Sequence, residues 1–159
     1  MFGRFDGRKL ISPASRQIMS FAAILFFLHF AWEMLQTPFF AGMSERAHWP
    51  ATIRCLQATL GDVVMGTFAF MCAAVIADTR FWFQKPDRLA IIVYLGVGLL
   101  LTTALEWSAI NWSARWAYAS SMPVLPGLGV GLVPLAQWLV VPLAGLAVLR
   151  RLFSGAERP

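Results

Sequence analysis

The chain has 159 residues, 58% of them hydrophobic and 13% charged, with a mean hydropathy of +0.65. A soluble domain is about a quarter charged, so this composition excludes an ordinary soluble globule and indicates one integral membrane domain over residues 1–159. The formal charge of +5 does not signal a nucleic-acid partner, because the basic residues flank apolar blocks instead of forming a patch.

Four blocks, approximately 17–40, 55–77, 89–110 and 127–152, are long enough to cross a bilayer core, which takes roughly 20 helical residues. Their apolar runs are continuous and do not alternate, so the expected fold is an all-α, four-transmembrane-helix bundle and not a barrel.

The first block contains HFAWEMLQTP, in which His29, Glu33 and Gln36 recur at i, i+4 and i+7 and share one helix face. His29 and Glu33 interrupt the apolar run and no small-residue cleavage site follows it, so the block reads as a retained span. In the second block Gln57 and Asp62 are expected within the first two turns or so. Cys55 and Cys72 lie about 25 Å apart along a helix, beyond disulfide reach, and no CxxC is present. Ala69, Ala73 and Ala77 form a small-residue ridge suited to close helix packing. In the connection over 78–88, Phe81, Trp82 and Phe83 are placed to sit in the aromatic belt of the interface.

Glu106 and Trp107 fall near the end of the third block. In the connection that follows, Trp112 and Trp116 at i, i+4 leave Asn111, Arg115 and Tyr118 to face elsewhere. That pattern predicts a short interfacial helix stopped by Pro123 and Pro126. The fourth block opens with a Gly127/Gly131 pair and carries Pro134 and Pro142, with Gln137 and Trp138 between them, the signature of a kinked span.

Placing the N-terminus in the cytoplasm puts ten of the 13 basic residues inside: Arg4, Arg8, Lys9, Arg16, Arg80, Lys85, Arg88, Arg150, Arg151 and Arg158. Arg46, Arg54 and Arg115 are left outside. The expected location is therefore a bacterial-type inner membrane, multi-pass, with both termini cytoplasmic. On that orientation His29, Glu33, Asp62, Glu106 and Gln137 all fall in the outer half, and the inner half holds almost nothing ionisable.

A charged side chain in a membrane helix costs a few kcal/mol on insertion scales and by default faces protein or water and marks a site. Snorkelling into headgroups accounts equally well for Glu106 and Gln57, but less well for Glu33 and Asp62, which apolar residues flank on both sides. An apolar setting favours a neutral carboxyl, which suits Glu33, Asp62 or Glu106 to general-acid work, with His29 one turn below Glu33 as a relay. Such a set could protonate, isomerise, hydrate or cyclise an amphiphilic or isoprenoid-like molecule from the bilayer. Gln36, Trp32, Trp107, Asn111, Arg115, Tyr118, Gln137 and Trp138 are the expected binding residues, with Arg115 and Tyr118 over the pocket as lid or counter-charge. Trp32, Phe30, Trp107 and Trp138 could steady a cationic intermediate, although plain packing explains any one of them.

Three other readings stand beside the enzyme. His29, Glu33 and Asp62 could hold a metal ion, and Met34, Met43, Met65 and Met122 in the same half leave copper in view, but no HExxH motif is present. Proton or small-solute transport suits the kinked fourth span, while the lack of polar residues toward the inner face argues against a complete channel in one protomer. A structural or assembly subunit, joining copies or a larger membrane complex through its small-residue faces, is the third. Membrane lipids are the common partner, and no cofactor is indicated.

Overall fold

The computed structural model describes residues 13–154. Arg4, Arg8, Lys9 and Arg158, used above to assign orientation, lie outside the described residues. Four helices, α1 (Pro13–Gln36), α2 (His48–Ile76), α3 (Arg88–Asn111) and α4 (Leu132–Phe153), account for most of the rest. Each is long and apolar enough to cross a membrane, so the protein is a multi-pass four-helix bundle. α1 packs on α2, α2 on α3 and α3 on α4, and α4 closes the ring against α1, its more extensive partner.

The helix ends follow local chemistry more than hydropathy. α2 begins at His48, well before its apolar block, because Pro50 falls in the first turn, where a missing N–H leaves nothing unsatisfied. Asp62 is consequently about four turns, or roughly 21 Å, into α2 and not within its first two. α3 starts where the Asp87 carboxylate accepts a hydrogen bond from the Ala90 amide at 2.6 Å, an N-cap. α4 begins at Leu132 and not at 127, since Gly127 and Gly129 have φ of 87° and 67°. The Gly127/Gly131 pair is therefore not a helix ridge. Pro134 sits in the first turn of α4, which leaves Pro142 as the interior proline.

The connection between α3 and α4 contains no helix, contrary to the interfacial helix expected there. Ala114 has φ of 47°, Pro123, Pro126 and the two positive-φ glycines follow, and the backbone bonds elsewhere. The Ala41 amide donates to the Ala117 carbonyl and the Ala119 amide to the Phe39 carbonyl, both at 2.9 Å, so this connection is clasped to the one between α1 and α2. Leu125 and Leu132 then bond back to Val130 and Pro123 at 2.7 and 2.8 Å. Trp112 is 84% exposed while Trp116 is half-buried, so the two do not form a common face.

The opposite end of the bundle is an apolar plug. A short 3-10 turn, Trp82–Gln84, carries Trp82 and Phe83 inward instead of into an interfacial belt. Their rings lie 5.2 and 5.9 Å from Phe70, and Tyr94 is 5.6 Å from Trp82. Burying aromatics of this size contributes on the order of 1.5–3 kcal/mol each, which outweighs an interfacial seat. Ala69 and Ala73 are fully buried on the α2 face behind this cluster, so that ridge packs within the bundle.

Candidate functional site

At the end of the bundle away from the aromatic plug, the four helices enclose a cavity of about 380 Å³. Each helix contributes at least one buried polar residue to it, among them Glu33 from α1, Asp62 from α2, Glu106 from α3 and Gln137 from α4. The stripe on α1 supplies two more polar groups. His29, one turn below Glu33, is fully buried beneath the cavity, and Gln36, one turn above, lines its wall.

Gln137 is the hub. Its side-chain nitrogen lies 2.8 Å from His29 Nδ1, 3.1 Å from Asp62 Oδ2 and 3.3 Å from Glu33 Oε1. His29 Nδ1 and Asp62 Oδ2 are 3.4 Å apart. Gln36 adds a second donor to Glu33 Oε1 at 2.6 Å, and the Cys55 thiol donates to the Glu33 carbonyl at 3.7 Å. An amide nitrogen has two hydrogens and cannot serve three acceptors. The Nδ1–H tautomer of His29 resolves this, donating to Asp62 Oδ2 and leaving the two amide hydrogens for Asp62 and Glu33. Reversing the amide raises the demand, because its oxygen would then face three groups that must all be donors. The cluster thus sets an imidazole N–H and two carboxamide side chains against two carboxyl groups. Trp138, also lining the cavity, packs 5.4 Å from the His29 ring.

Glu106 has a different setting. It is buried and does not reach for a headgroup: its Oε2 accepts hydrogen bonds from the Tyr118 hydroxyl and, at 3.3 Å, from the Trp116 indole. The Tyr118 oxygen in turn accepts from the Gly131 amide at 2.8 Å. Burial, and then the bond to Glu106, push the Tyr118 hydroxyl above its ordinary value, so it stays a phenol and a donor. Glu106 thus fastens the α3–α4 connection over the cavity, with Tyr118 as the bolt.

The mouth is basic. Arg46, Arg54 and Arg115, the three residues that positive-inside counting leaves on the outside, all line the same cavity. Of the expected binding residues, Gln36, Arg115, Gln137 and Trp138 line it as well, and Tyr118 reaches it through Glu106. Trp107 and Asn111 do not. Trp107 is 46% exposed, and the Asn111 amide only closes the last turn of α3 by donating to the Trp107 carbonyl. Phe30 stacks on Phe26 along the flank of α1. Trp32 faces a second, smaller cleft with Leu35, Gln36, Phe39 and Val133. The reason is common to Trp32 and Trp107: each adjoins a site carboxylate in sequence, and adjacent helical residues point about 100° apart.

Among the described residues no three His, Cys, Asp or Glu side chains are arranged to hold a metal ion. The Gln137 amide occupies the space among His29, Glu33 and Asp62 that a shared ion would need. Met43 and Met65 do line the cavity, and Met122 is buried under Gly131. Sequence reasoning missed Arg46 and Arg54 as site residues, along with Cys55, Trp116 and Thr102. Thr102 lies one turn before Glu106 on the same face, and its buried hydroxyl has no partner among the described residues. The arginines were detectable as the exceptions to the charge asymmetry. No protein-family model, curated protein or solved structure matches the chain.

Proposed function

We propose that the protein binds an amphiphilic, lipid-like molecule in this cavity and carries out acid–base chemistry on it. The observation that supports this most directly is the cluster around Gln137, where the Asp62–His29 pair sits beside a second carboxyl group that accepts two amide donors. An allylic isomerisation balances with those groups: Asp62 delivers a proton to one end of a carbon–carbon double bond, positive charge develops at the other end, and Glu33 removes a proton from the carbon beyond it, which shifts the double bond. Proton exchange with solvent through the open cavity then returns Glu33 to its basic form and Asp62 to its acidic form, with His29 beside Asp62. Trp138 flanks the reacting region and steadies positive charge developing there.

In this reading the protein resides in a bacterial-type inner membrane with both termini cytoplasmic and the cavity open toward the outer face. The charge asymmetry of the segments supports that orientation. The plug of Phe21, Phe70, Trp82, Phe83 and Tyr94 at the other end favours a site open to one side over a through-going path.

The test is a comparison of lipid extracts from cells expressing wild type, Glu33→Gln or Asp62→Asn. The expected result is a lipid species altered by wild type and unaltered by either variant, with all three proteins inserted to the same level. If both variants act as wild type does, the acid–base reading is wrong.

A further inference from the structure

The cavity and the cleft beside Trp32 share one residue, Gln36. We infer, building on the function proposed above, that together they form one site for a single-chain amphiphile with an anionic head group. The head sits at the arginine rim and the chain in the cleft.

The two compartments have opposite chemistry. The larger is rimmed by Arg46, Arg54 and Arg115, whose planar guanidinium groups match the oxygens of a phosphate or carboxylate. The smaller, about 150 Å³, lies between α1 and the start of α4 and is apolar apart from Gln36, its walls made by Trp32, Leu35, Phe39 and Val133. A molecule crossing from one to the other changes from charged to apolar at Gln36.

That junction holds two unused polar atoms. Gln36 is 4% exposed; its nitrogen donates to Glu33, while its Oε1 is buried with no partner among the described residues. The Trp32 indole N–H is likewise buried and unpartnered. Buried polar atoms are nearly always paired, and unpaired ones call for an explanation. An acceptor at Gln36 and a donor at Trp32 suit the hydroxyl and ester carbonyl that link head to chain in a lysophospholipid. The unpartnered Thr102 hydroxyl, on the cavity wall, adds a further group for the head.

The experiment measures equilibrium binding of oleoyl lysophosphatidate, oleate and monoolein to the purified full chain in a neutral detergent. The first two probe phosphate and carboxylate heads, and the third is a neutral match. At least one charged ligand is expected to bind about ten-fold or more tightly than monoolein. Arg54→Gln and Arg115→Gln should each reduce that advantage, whereas Val133→Trp should weaken oleoyl ligands more than a hexanoyl lysophosphatidate. A brominated chain should quench tryptophan fluorescence, and Trp32→Phe should remove part of the quenching, which covers the case of a Val133 variant that fails to fold. Equal affinity for monoolein overturns the head assignment, and quenching unchanged by Trp32→Phe overturns the chain assignment. Binding is measured on the wild-type chain, and turnover as the difference between wild type and Glu33→Gln. Selective binding without any Glu33-dependent turnover therefore refutes the acid–base reading alone, and Glu33-dependent turnover without charge selectivity refutes this inference alone.

Discussion

Gly96 and Gly98 lie two residues apart on α3, and their different surroundings allow a controlled test of how tightly the cavity floor is packed. A Cβ on Gly98 would lie 2.3 Å from Trp138 Cε3 and 2.5 Å from Cζ3, whereas one on Gly96 meets nothing within 4 Å. Carbon–carbon contacts settle at about 3.5–4.0 Å, so Gly98→Ala obliges the Trp138 ring to retreat by more than about 1 Å. The ring has little room, being 1% exposed, with Gly66 on the facing helix and His29 at 5.4 Å. Overpacking of this kind costs roughly 1–3 kcal/mol. Both substitutions gain the same helix propensity, about 1 kcal/mol, so the difference between the variants isolates the clash. Gly96→Ala is expected to match or exceed wild type, and Gly98→Ala to fall about 1–3 kcal/mol below Gly96→Ala. The assay is reversible unfolding of the pair in mixed detergent micelles, followed by circular dichroism. Two variants of equal stability would show that Trp138 does not pack on Gly98 as described.

Tyr118→Phe removes the donor to Glu106 and the acceptor for the Gly131 amide, and is expected to cost about 1.5–3 kcal/mol and to speed amide exchange across residues 115–131. Because burial raises the Tyr118 hydroxyl, the stabilisation is complete below the unfolded value of about 10 and is lost as pH climbs toward the folded one. Alkaline unfolding should therefore be shallower in Tyr118→Phe than in wild type. Trp82→Ala should cost about 3–5 kcal/mol by emptying the aromatic plug; Trp107→Ala, on an exposed face, should stay within about 0.5 kcal/mol of wild type in the same unfolding assay. Asp87→Ala should lower stability by about 1 kcal/mol through loss of the α3 cap, seen as faster exchange at the start of that helix.

The spans were legible because a bilayer helix needs a long apolar run and the chain contains four. The grouping of Glu33, Asp62, Glu106 and Gln137 was legible for a related reason, since few polar residues interrupt those runs and burial in apolar surroundings forces them toward one another. Trp32 and Trp107 show where that logic fails: proximity in sequence to a carboxylate places a neighbour on a different helix face. The 112–131 segment failed because its aromatic spacing also fits a helix. Its deciding bonds run to Phe39 and Ala41, far away in the chain, which no local pattern encodes. Trp82 and Phe83 have a composition compatible with either a belt or a plug, and only the turn that carries them inward separates the two.

The position of Gln137 on α4 bears on how the protein is made. Glu33 and Asp62 lie on the first two helices, and the amide that bridges them arrives with the last of the four. The early hairpin therefore enters the bilayer with its carboxyl groups lacking that partner, Glu33 keeping only the Gln36 amide of its own helix. Docking of α4 then completes the donor set and brings in Gly131, on which the Tyr118 bolt closes. Biogenesis and site assembly thus end on the same step: without α4 the cluster lacks both the amide that bridges Glu33 and Asp62 and the Gly131 amide that bonds to Tyr118.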